Sequence, residues 1–60
     1  MRDDDVLFEI RRIGSYAKVA AIDPETNTEV STVGPASTDD RTLRMAALRK
    51  LKYVLAKRSG

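Results

Sequence analysis

Neither cysteine nor histidine occurs among the 60 residues of this chain. Without cysteine no disulfide can staple the fold, and the composition fits a reducing cytoplasm. Without either residue a Ser-His or Cys-His nucleophile is ruled out. Carboxylates are then the only strong metal ligands, which argues against zinc and other transition metals and sets the expectation of no metal and no cofactor. Long hydrophobic runs are missing too, since none approaches the ~20 residues a membrane span needs. The opening Met1-Arg2-Asp3-Asp4-Asp5 is acidic where a secretory signal would be basic, so a cytoplasmic protein with no membrane partner is expected. Gly14 and Gly34 are isolated, and neither belongs to a glycine-rich nucleotide loop.

What is present is a folded composition: 42% of residues are apolar, and they fall in periodic segments. One domain, residues 1–60, is expected, with 1–5 as a disordered lead-in and 59–60 as a frayed tail. A chain this short buries only ~60% of the surface its unfolded form exposes, so its stability is marginal. Small folds compensate with disulfides, a metal or oligomerisation, and only the last is left here.

Val6 to Ile13 is rich in β-branched and aromatic residues and carries no breaker. Gly14-Ser15 follows as a two-residue, glycine-first loop that closes a type II′ hairpin onto Tyr16–Ile22. That turn predicts Ile13 opposite Tyr16, Ile10 opposite Val19, Phe8 opposite Ala21 and Leu7 opposite Ile22. Asp23-Pro24-Glu25-Thr26-Asn27-Thr28 is a second turn, with Pro24 presetting φ and Asn27 tolerating the left-handed conformation. A third strand runs from Glu29 to Val33, where Gly34-Pro35 is expected to stop it. Short connections make an antiparallel meander.

Period-two alternation places Val6, Phe8, Ile10, Val19, Ala21 and Val30 on one face, the expected core. The other face carries Glu9, Arg11 and Lys18, but also Leu7, Ile13, Tyr16, Ile22 and Val33. A sheet with one face in water should be cleaner than this. Those five apolar residues are therefore the candidate dimer surface.

Ser37, Thr38 or Asp39 can cap a helix that runs from about Asp40 to Lys57 without glycine or proline. Leu43, Ala47, Leu48, Leu51, Val54 and Leu55 fall within an arc of about 140° at 100° per residue, a core-facing stripe. The expected fold is α+β, β-β-β-α: a three-stranded antiparallel meander with the helix on its Phe8 face.

Charge is unevenly distributed. Residues 41–60 hold seven of the 11 basic residues and none of the nine acids, so the first forty carry 4 − 9 = −5 and the tail +7. Arg49, Lys50, Lys52 and Lys57 are candidate nucleic-acid contacts along the helix, with Arg41 and Tyr53 nearby. Against that reading, no helix-turn-helix or RNA-recognition motif is present, and lysine and arginine are ordinary residues on the wet face of a helix. The acids have plain roles as well: Asp39-Asp40 cap, Glu9 sits near Lys18, and Arg11 and Arg12 straddle both faces, where an ion pair to an acid of the sheet is expected. No catalytic residues are assigned, because so short a chain can hardly enclose a pocket of converging groups.

The segments Asp5–Gly14, Lys18-Val19, Ala21–Pro24 and Ala47–Leu55 together resemble a family of short uncharacterised bacterial proteins. The resemblance covers nearly the whole chain, through packing and turn residues. It implies a small α/β domain that associates with itself, and it brings no catalytic or binding residues with it. The expectation is a non-enzymatic homodimeric binding or assembly module, docked face to face or exchanging its helices. A nucleic-acid binder using the basic helix is the alternative.

Overall fold

A computed structural model describes residues 2–59, with side chains through Arg58. Three strands and a helix follow a short N-terminal turn: a 3-10 turn at Asp3–Asp5, β1 Leu7–Ile13, β2 Tyr16–Asp23, β3 Thr28–Pro35 and α1 Asp40–Ser59. The sheet is antiparallel in the order β1-β2-β3. Three of the five lead-in residues thus make one turn of helix, while Met1, like Gly60 of the expected frayed tail, lies outside the described residues.

The first hairpin has the expected register: Leu7 pairs with Ile22, Phe8 with Ala21, Ile10 with Val19 and Ile13 with Tyr16. Gly14 takes φ 59° while Ser15 keeps a negative φ, the combination of a type II′ turn whose twist matches that of the strands. Asn27 supplies the other positive φ, 57°, in the second turn. There the buried Asp23 carboxylate accepts from Glu25 N at 3.1 Å and from Thr26 Oγ1 at 2.8 Å. The Thr26 and Thr28 hydroxyls share a 2.8 Å hydrogen bond, and Arg58 donates to Thr28 Oγ1 at 2.6 Å, tying the end of α1 to the same turn.

β3 runs two residues past Val33, through Gly34 and Pro35, where a stop was expected. The phase of the ladder explains this. Ala36 N donates to Ser15 O at 3.0 Å, so odd-numbered residues of β2 turn their backbone groups toward β3. Tyr16, the partner of Pro35, therefore turns its own toward β1. Pro35 sits at an edge position whose missing N–H costs the ladder nothing.

One face of the sheet holds the core. Val6, Ala17, Val19, Ala21 and Val30 pack against Leu43, Ala47 and Leu51 of α1, with Phe8, Ile10, Leu48, Val54 and Leu55 half-buried around them. The helix lies mainly over β2 and β3 and only marginally over β1. That offset leaves Phe8 and Ile10 incompletely covered.

Asp39 is the helix cap. Its backbone carbonyl accepts from Leu43 N at 3.1 Å, and its carboxylate accepts from Thr42 Oγ1 at 2.5 Å. The Thr42 hydroxyl holds the Asp39 carboxyl below the usual aspartate range; desolvation opposes it, and the Thr42 and Asp39 amides and the charge of Arg41 add smaller lowering contributions.

Candidate binding surfaces

Two surfaces follow from this arrangement: the wet side of α1 and the sheet face that α1 leaves uncovered. Of the four cations placed on the first, three are engaged within the chain. Lys50 Nζ donates to Ser31 O at 2.6 Å, Lys52 Nζ pairs with Asp3 Oδ2 at 3.0 Å, and Lys57 Nζ stands 5.3 Å from the centre of the Tyr53 ring. Arg49 is exposed, beside Met45, Leu48 and Lys52 in a shallow hollow of about 190 Å³. Much of the charge expected to face a phosphate backbone instead links the helix to the sheet edge and to the N-terminal turn. Such ties at the surface are individually weak and can be exchanged for a ligand's phosphates at small cost.

The uncovered face is organised in rows across the three strands. Leu7, Ile22 and Glu29 form the first row; Glu9, Ala20 and Ser31 the second. Arg11, Lys18 and Val33 form the third, and Ile13, Tyr16 and Pro35 the fourth. Leu7 is 58% exposed, Ile13 48%, Tyr16 42% and Val33 62%, while Ile22 is half-buried. All five candidate dimer residues therefore lie on one face, as the alternation required. Apolar side chains occupy both ends of the face, and a charged band crosses its middle. Glu9 and Glu29 lie toward one end, Arg11 and Lys18 toward the other, around a shallow depression of about 260 Å³.

Glu9 pairs with Ala20 and stands diagonal to Lys18, with which it lines the depression, as expected, while Lys18 is directly opposite Arg11. Like charges directly opposite on a sheet repel. Arg12 differs from expectation. Its acid partner is on the helix, not the sheet: Nη2 meets Asp40 Oδ1 at 2.8 Å. The same guanidinium donates to Ala36 O at 3.0 Å and Thr38 O at 2.6 Å, so one side chain ties two points of the β3–α1 connection to β1. The signal was there, because period two puts Arg12 on the helix-facing side at the end of β1. What sequence could not supply is the path of the loop that brings its carbonyls there.

No helix among the described residues is long and apolar enough to cross a membrane. No curated protein and no solved structure matches the chain. A family model described as a domain of unknown function (DUF6898) matches residues 3–58, taking in all three strands and all but the last residue of α1. Since that match spans the meander, both turns and the helix, the chain belongs to the DUF6898 family.

Proposed function

We propose that the chain is a non-enzymatic binding and assembly module that works as a homodimer, in a bacterial cytoplasm. The observation that carries this reading is the uncovered sheet face, where Leu7, Ile13, Tyr16 and Val33 stand in water around a charged band. A standard interface buries ~800 Å² per chain. If about half of that is apolar, at ~25 cal/mol per Å², burial contributes on the order of 10 kcal/mol per chain. Association entropy removes much of it, yet the remainder rivals the stability of an isolated domain this small. The band suits a two-fold axis lying across the strands, which sets the acidic half of one face over the basic half of the other.

Exchange of α1 between the two chains is the alternative arrangement, and it would preserve every core contact. It must, however, release the connection that Arg12 holds through Ala36 and Thr38. Light scattering at micromolar concentration tests the dimer, and a mass near one 6.7 kDa chain would sink it. In a mixed-label sample, contacts between Leu51 and Phe8 that occur only within one chain would eliminate the exchange.

Nucleic-acid binding by the helix is the second reading, favoured by the +7 tail and the exposed Arg41, Arg44 and Arg49. It predicts micromolar binding to mixed oligonucleotides that weakens steeply with salt and disappears when Lys50, Lys52 and Lys57 are reversed to Glu. Absence of binding at low salt removes it.

A further inference from the structure

The two edges of the sheet are finished differently. On β3, the outward backbone positions are Glu29, Ser31, Val33 and Pro35, by the ladder phase already established. Ser31 O is taken by Lys50 Nζ at 2.6 Å, and Pro35 has no N–H to offer. Lysine and proline are the usual means of closing an edge to further strands. On β1 the outward positions are Phe8, Ile10 and Arg12, and among the described residues no strand or side chain satisfies their backbone groups. Beside this bare edge, the offset helix leaves Phe8 and Ile10 half-buried.

We propose that β1 pairs edge to edge with β1 of a second copy, antiparallel, with Ile10 opposite the partner's Ile10. The register follows from phase and charge. Hydrogen bonding between outward positions requires that even residues oppose even residues, which leaves three central registers. Centring on Glu9 sets glutamate against glutamate, and centring on Arg11 sets arginine against arginine. Centring on Ile10 sets Glu9 against the partner's Arg11 twice over, and Leu7 against its Ile13 twice over. It also relieves Arg11, whose neighbour within the chain is the like-charged Lys18. The result is one six-stranded sheet with both helices on the same side and the two uncovered faces joined into one.

This proposal rests on the reading that the chain associates with itself, but not on association through the uncovered face. Amide hydrogen exchange on the purified full chain separates the two. Edge pairing slows the amides of Phe8, Ile10 and Arg12 by about 100-fold or more, as buried ladder bonds do. A dimer in which those three exchange at unprotected rates overturns edge pairing and leaves face-to-face association standing. A monomer overturns both. Charge reversal then tests the register on exposed residues that the fold does not need. Glu9→Arg or Arg11→Glu alone should weaken the dimer about tenfold or more, and the double exchange should restore it. Unchanged affinity in both single variants overturns the register.

Discussion

The two faces of this sheet are built from the same strands, and each carries apolar side chains, yet their fates differ. On the side under α1, Ala17, Val19 and Ala21 are fully buried, as is Leu51 of the helix above them. On the other side Leu7, Ile13 and Val33 are about half exposed or more. Hydrophobicity does not separate the two sets; the number of covering elements does. A chain with one helix has one cover, and the face it leaves bare is where a partner can add stability that the chain cannot supply by itself.

The largest effect expected is on the covered face. Leu51→Ala should cost ~2–5 kcal/mol in chemical denaturation, because it opens a cavity between α1 and the sheet. A mild loss would mean that the helix packs elsewhere. Neighbouring alanines on β2 sharpen the comparison: Ala21→Leu forces extra volume under the helix and should cost ~1–3 kcal/mol, whereas Ala20→Leu points away from it and should cost clearly less. Equal losses would show that the two sides are equally packed.

At the rim, Arg12→Ala removes the tie to Ala36, Thr38 and Asp40. The groups are more than a third exposed, so the expected loss is only about 1 kcal/mol, read from the unfolding midpoint. On the bare face, Val33→Ser should change the stability of the dissociated chain by less than about 0.5 kcal/mol while weakening any face-to-face dimer. A large loss in dilute solution would mean that Val33 contributes to the core.

The smallest effect concerns pH. The folded-state pKa of Asp39 is depressed, so its contribution is fully present above its unfolded value and is lost as pH falls through the folded one. Asp39→Asn should therefore flatten the stability profile on the acid side, below the usual aspartate range, and leave it unchanged near neutrality apart from a constant offset. An unaltered acid limb in thermal unfolding would show that the Thr42 contact does not hold the charge.

Most of the architecture was legible in the residues, because local rules act over a few positions. The Gly14-Ser15 loop specified the β1–β2 pairing by itself, since a two-residue turn admits one register. Alternation then assigned Phe8 and Val19 to one face and Leu7 and Tyr16 to the other, and the Leu43–Leu55 stripe marked the side of α1 that faces inward. Placement of charge was not legible. Lys50, Lys52 and Lys57 read as a free basic stripe, and Arg12 as an ordinary strand cation. Their partners, Ser31 O, Asp3, the Tyr53 ring and the Ala36 and Thr38 carbonyls, are all but one distant in sequence. Long flexible side chains choose partners by three-dimensional proximity, and periodicity carries no information about that.

What the sequence determined alone is the order of elements, the first hairpin's register and the two faces of the sheet, all consequences of backbone geometry over short spans. Only the tertiary structure decided where α1 sits across the strands. Its position over β2 and β3 brings Lys50 onto the Ser31 carbonyl at one edge and leaves β1 bare, and that depends on how side chains pack between layers, which no local rule prescribes.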